Sequence, residues 1–211
     1  MCAGKTTAAK ILKKTFKNIL YHPEINQYTL MNKNHVGGAF VGRAIEKKIN
    51  KASFKRLKAI IEDGRDMFNL IETDIFHCVF AKLLGEKQMA EENERKYQEF
   101  YQKTNAGIFF INTKPQISWA RRRNYYLKRA LKTIKDQKLK GVQAKKRREE
   151  MMKKYKECIF NLYSLWSEMY DRLSYPKIKI PNNGQSLRIF EKKVVNGFSK
   201  LTKKMKISVK A

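Results

Sequence analysis

The chain has 211 residues and sets 47 Lys and Arg against 19 Asp and Glu, a formal charge of +28. An excess of that size repels itself unless a polyanion is close by, which excludes a protein whose only partners are small neutral molecules. With 42% hydrophobic residues, four prolines and ten glycines, the composition also excludes simple disorder and argues for long helices over a sandwich or barrel.

Residues 1–42 read as a basic N-terminal arm and a loop. The first twenty hold five lysines and no acid. On a helix, Ile11, Leu12, Phe16, Ile19 and Leu20 share one face, with Lys10, Lys13, Lys14 and Lys17 opposite. Mitochondrial targeting segments carry that pattern, here retained uncleaved; a basic arm lying on nucleic acid or membrane is the other reading. Residues 21–42 read as loop, with short extended pieces at 27–31 and 39–41.

Residues 43–113 read as a helical core. Leu57, Ile60, Ile61, Met67, Phe68, Ile71, Ile75, Val79 and Leu83 recur at three- and four-residue spacings, one helical stripe that Gly64 divides in two. After Gly85 a polar helix runs over 86–103, where Glu91, Glu92, Glu94, Arg95, Lys96 and Glu99 pair along a solvated face. Residues 108–111, four apolar side chains in a row, read as a short buried strand. Residues 62–99 hold ten acids against five bases, so the positive charge lies elsewhere.

Residues 114–175 open at Pro115 and change character. Between 114 and 160 stand 17 bases and four acids. Two long basic helices are predicted, 117–137 and 142–173, with Gly141 at the joint. The second ends on a stripe of Ile159, Leu162, Leu165, Trp166, Met169, Tyr170 and Leu173, so that half is anchored while its first half projects. Residues 176–211 read as an extended linker bracketed by Pro176 and Pro181, a turn at 182–184, an amphipathic helix over 185–201 and a basic tail from Lys203. The expected fold is therefore mainly α: an irregular helical protein with long basic helices, at most one or two short strands, and basic N- and C-terminal extensions.

Catalytic motifs are sparse. Gly4-Lys5-Thr6 matches the end of a phosphate-binding loop, G-x-x-x-x-G-K-[ST]. That motif needs an earlier glycine and a preceding buried strand, and three residues ahead of Gly4 supply neither. The pair His77-Cys78 is adjacent, so on a helix the two side chains diverge by about 100° and hold no metal together. Glu72 and Asp74 cannot share a helix face, and Asp63 and Asp66 read as solvated acids near helix starts. Cys2, Cys78 and Cys158 define no disulfide framework and indicate a reducing compartment. No apolar run approaches the roughly 18 residues that span a bilayer. The expectation is no enzyme, no cofactor and no metal.

The basic constellation is the strongest signal. Residues 119–129 combine five cations with three aromatics. Guanidinium forks match phosphate oxygens, and Trp and Tyr stack on unpaired bases. The expected RNA contacts are Trp119, Arg121, Arg122, Arg123, Tyr125, Lys128, Arg129, Lys132 and Lys135, then Lys145, Lys146, Arg147 and Arg148, and in the tail Lys203 and Lys204. A long basic helix, its aliphatic-aromatic end and the run Tyr-Pro-Lys-Ile-Lys-Ile-Pro at 175–181 together resemble mitochondrial-specific ribosomal proteins over residues 117–181. The resemblance implies a structural, RNA-binding component of a mitochondrial ribosome in the matrix. Such a protein neutralises and bridges rRNA phosphates, with rRNA and neighbouring proteins as partners and no catalysis. The alternatives are a peripheral accessory subunit of a mitochondrial inner-membrane complex bound to anionic lipid, and a binder of acidic cytoskeletal surfaces or DNA.

Overall fold

The computed structural model describes residues 4–25, 43–63 and 67–207; the expected pieces at 27–31 and 39–41, the break at Gly64 and the end of the tail, 208–211, lie outside the described residues. The protein is mainly α, and among the described residues there are seven helices and only short strands. In chain order these are α1 (Lys5–Thr15), β1 (Ile19–His22), α2 (Arg43–Glu62), β2 (Phe68–Ile71), a 3-10 turn (Asp74–His77), α3 (Cys78–Leu83) and α4 (Lys87–Gln102). Then follow β3 (Ile108–Asn112), α5 (Pro115–Asp136), α6 (Gly141–Arg172), β4 (Lys177–Pro181) and α7 (Leu187–Lys204).

The four strands among the described residues are parallel to their partners. β1 pairs with β2, Ile19 opposite Phe68 through His22 opposite Ile71. β3 pairs with β4, Ile108 opposite Lys177 through Asn112 opposite Pro181. Parallel strands need long crossovers, which is what the intervening helices supply. Both pairs lie between the same two layers. Ile19, Phe68, Leu70, Phe109, Ile111 and Ile180 pack with Leu12 and Phe16 of the N-terminal segment and with Phe190, Val194 and Phe198 of α7. Ile71, Ile108 and Phe110 face the other core, with Ile75, Val79, Tyr97, Leu162 and Trp166. The alternation of Phe109 and Ile111 against Ile108 and Phe110 is the two-residue period of a strand covered on both faces.

Two strands replace predicted helix or loop. Ile19 and Leu20 were expected on the first helix with Tyr21 and His22 in the loop, while Phe68 and Ile71 were placed on a helical stripe. Each of these strands is only four residues long and carries apolar residues on both faces, so Phe68 and Ile71 meet a three-residue spacing without a helix. Among the described residues the strands therefore number four, against the one or two expected. The amphipathic face of the first segment is real: Leu12, Phe16 and Ile19 are buried and Lys10, Lys13, Lys14 and Lys17 exposed. It does not project as an arm, because buried Ala8 and Leu12 seat α1 in the same core as α7.

The second half follows its pattern closely. Pro115 occupies the first turn of α5, where a missing N–H costs nothing. Ser186 caps α7 by accepting from the Ile189 N–H at 3.4 Å. The predicted stripe of α6 is buried at Ile159, Leu162, Trp166, Met169 and Tyr170, and its first half is exposed at Lys145, Lys146 and Arg148.

Candidate functional site

The start of α1 meets the carboxyl ends of β1 and β2. Gly4 opens the helix at φ 91°, and a Cβ there would stand 2.5 Å from Asn182 Nδ2 and 3.3 Å from Phe190 Cζ. Only glycine satisfies both the dihedral and the space. Gly4 offers no side chain to cap α1 and no acid stands in its first turn, where the leading N–H groups have no intrahelical acceptor. Lys5 Nζ donates to Thr73 Oγ1 at 2.5 Å and lies 3.5 Å from Glu24 Oε2 and 3.9 Å from Glu72 Oε1. Thr6 Oγ1 donates to both Glu72 oxygens, at 3.1 and 3.3 Å, and the Tyr21 hydroxyl donates to Glu72 Oε2.

The strands put these groups together. Glu24 follows the end of β1 by two residues, and Glu72 and Thr73 leave β2 directly. Burial, then the Glu72 carboxylate, pushes the Tyr21 hydroxyl well above its ordinary value. Burial also pushes the Glu24 carboxyl up, but Lys5, His77 and a Thr73 hydrogen bond outweigh it and hold Glu24 below its ordinary value. Behind the cluster, His77 Nδ1 stands 2.7 Å from Glu46 Oε1, both side chains buried. Asn50 Nδ2 donates to the Glu46 carbonyl at 2.9 Å. The Glu46–His77 contact joins α2 to the turn after Thr73. Trp166 closes the other side: its indole N–H donates to the Phe76 carbonyl at 3.1 Å, and Lys5 Nζ lies 5.8 Å from its ring.

An ammonium, a hydroxyl and a helix N-terminus at one point are what a phosphate chain needs. A carboxylate in contact with that hydroxyl adds an oxygen pair for a hard cation, whose remaining ligands come from phosphates and water. Among the described residues no group of three or more His, Cys, Asp and Glu would hold a metal ion unaided. Sequence reasoning saw Gly4-Lys5-Thr6 and set it aside. It also saw Glu72, which it judged on helical spacing that β2 does not have.

The predicted RNA-binding residues lie on the α5–α6 hairpin and the end of α7. Tyr163 OH donates to Ser118 Oγ at 3.0 Å and the Tyr126 and Tyr155 rings stack at 4.8 Å, so the two helices run antiparallel. That register brings Lys132 and Lys135 of α5 to the same tip as Lys145, Lys146, Arg147 and Arg148 of α6. Arg121, Arg123, Lys128, Lys132 and Lys135 are exposed, and Arg147 lies 3.6 Å from Glu150. Tyr125 is exposed with Arg122 5.7 Å from its ring. Trp119 is half-buried and stacks on the buried Tyr126 at 6.0 Å, a core contact. Arg129 is half-buried over Tyr155 at 5.8 Å. Lys203 and Lys204 end α7 as exposed side chains, apart from the hairpin in sequence, with Lys204 Nζ 3.3 Å from the Lys177 carbonyl. No helix is long and apolar enough to cross a membrane among the described residues. Comparison with known protein families, curated proteins and solved structures finds no match to this chain.

Proposed function

We propose that the chain binds the phosphates of a nucleoside polyphosphate at the start of α1 and takes part in phosphoryl transfer there. One observation carries the reading. The Lys5 and Thr6 of a Gly-Lys-Thr helix start meet Glu72 and Thr73 at the carboxyl end of a parallel strand. In this arrangement the lysine neutralises phosphate oxygens, and the leading N–H groups of α1 cradle them. Thr6 and Glu72 are the residues that would hold a divalent cation between hydroxyl and carboxylate. The reading departs from the expectation of a chain without catalysis.

The test is calorimetric titration with ATP and with inorganic tripolyphosphate, in magnesium and in EDTA. A charge-assisted hydrogen bond is worth about 1.5–3 kcal/mol, so Lys5→Ala should weaken binding by about tenfold to a hundredfold. Thr6→Val should remove the difference between magnesium and EDTA. Equal affinity in the wild-type and Lys5→Ala chains would overturn the reading.

A second reading has its own observation, the joining of two cationic runs at the hairpin tip. From residue 132 to 148 stand eight Lys and Arg against one Asp. That surface supports the structural, rRNA-binding role expected from the sequence, in a ribonucleoprotein of the mitochondrial matrix. In RNA anisotropy titrations Arg121, Arg122 and Arg123 changed to Glu should lose affinity, while Glu91 and Glu92 changed to Lys should not.

A further inference from the structure

Between β2 and β3 lies a cavity of about 540 Å³. Its two long walls are consecutive residues of the facing strands, Met67 to Ile71 on one side and Gly107 to Ile111 on the other. Among the described residues no ladder joins β2 to β3, so each strand is paired along one edge and opens the other to this space. β3 is buried at Ile108, Phe110 and Ile111, and the edge that β4 does not pair faces this space.

We propose that this slot is the seat of a fifth parallel strand, an apolar segment placed ahead of Gly4 in the chain. The dimensions suit one strand. Strands lie about 4.8 Å apart, rise about 3.3 Å per residue and fill a layer about 10 Å deep, or about 160 Å³ per residue, so the cavity holds between three and four residues. Beneath it the Phe198 ring of α7 stands 4.9 Å from Phe68 and 6.1 Å from Phe109, so those two rings are at most 11.0 Å apart. A single inserted strand sets its two neighbours about 9.6 Å apart. Both walls also share the same covering layers, as two halves of one sheet do.

Polarity and connection follow from the ends. The slot runs from Asn18 and Met67, where β1 and β2 begin, to Thr73 and Lys5, where β2 ends and α1 begins. A strand parallel to β2 therefore finishes toward Lys5, where Gly4 at φ 91° opens the helix that follows. The resulting order is β1, β2, the new strand, β3, β4. Its first crossover, through α1, goes one way and its later ones the other. The Lys5, Thr6 and Glu72 cluster then stands at that reversal, where ligands of open parallel sheets bind. The occupant is apolar on both faces, because the cavity meets Phe68 and Phe109 on one face and Ile75, Phe76 and Trp166 on the other. The inference deepens the phosphate reading and rests on it only for the role of the loop.

The experiment extends the full chain ahead of Met1 with Val-Ile-Val-Ile and a short glycine-bearing turn. A control extension of equal length alternates Asp and Pro. Thermal melting and amide hydrogen exchange are read on both, and the apolar segment is also added to the unmodified chain as a free peptide. The apolar extension is expected to raise Tm by about 5 °C or more and to slow exchange at residues 68–71 and 108–112 at least about tenfold. The control is expected to change neither. Equal melting and exchange in both extended chains, with no protection by the peptide, would overturn the proposal. Protection at both edges without tripolyphosphate binding would uphold the strand while refuting the phosphate reading.

Discussion

Replacing Gly4 with alanine tests whether α1 begins where it does because of one backbone conformation and one tight approach. An L-residue in the left-handed region costs about 1–2 kcal/mol. The new Cβ would also stand 2.5 Å from Asn182 Nδ2, with Phe190 Cζ at 3.3 Å behind it. Asn182 and Phe190 are both buried, so the displaced atoms have little room, and overpacking of this kind costs about 1–3 kcal/mol. The total is about 2–5 kcal/mol, which for a protein of this size lowers Tm by roughly 5–15 °C. Urea denaturation of wild type, Gly4→Ala, Asn182→Ala and the double variant separates the two terms. Removing the Asn182 amide relieves the clash and leaves the dihedral cost, so a coupling of about 1–3 kcal/mol is expected. A Gly4→Ala chain within about 0.5 kcal/mol of wild type, with no coupling, would refute the geometry on which both the helix start and the phosphate cradle depend.

Two further outcomes follow from burial and charge. Ile75→Ala removes a side chain that is 1% exposed and should cost about 2–5 kcal/mol by urea denaturation, whereas Leu187→Ala, 64% exposed, should stay within about 0.5 kcal/mol; similar losses would place the core wrongly. Glu24 is held below its ordinary value in the folded chain, so its contribution is present above the unfolded carboxyl value and is lost as pH falls through the lowered one. Melting curves of wild type and Glu24→Gln should therefore differ most near about pH 6 and converge on acidification toward about pH 2, and a constant offset would refute the Lys5 contact as its cause.

The helices of the second half were legible because each signal was local. Pro115 and Ser186 act within one turn, and the α6 stripe repeats over enough residues for the helical period to be unambiguous. β1 and β2 were not legible, since four residues are too few to carry a period of their own and Phe68 and Ile71 fit a helical spacing equally well. The same misreading hid the site. Glu72 on a helix has no partner, but Glu72 at the end of a strand reaches Thr6, 66 residues away, and Tyr21, 51 residues away. Gly4-Lys5-Thr6 was visible as a motif and was set aside for want of a strand. What it lacked was the slot between β2 and β3, which is a property of packing and has no trace in any short segment. The cationic residues of α5 and α6 were read individually. Their meeting at one tip follows from the antiparallel register set by Ser118 with Tyr163 and Tyr126 with Tyr155.

The two functional readings concern different places on the molecule. Trp166 lies beside Lys5, and Arg148 is eighteen residues nearer the start of α6, about 27 Å along the helix axis. A triphosphate seated at Thr6 does not span that distance, so the tip cations add nothing to its direct contacts. They contribute at long range, where the net charge of +28 draws polyanions in and where salt screens the effect beyond about 10 Å. Close to Lys5 the balance is the reverse, with Glu24 and Glu72 both within 4 Å of one ammonium. A phosphate chain entering there meets more negative than positive charge among these three side chains. On the proposed reading a divalent cation held by Thr6 and Glu72 would reverse that balance, so phosphate binding at the α1 site is expected to require magnesium. Binding at the hairpin tip, where cations dominate, needs no such ion and instead falls with added salt. The two dependences therefore assign any polyanion this chain binds to one end of α6 or the other.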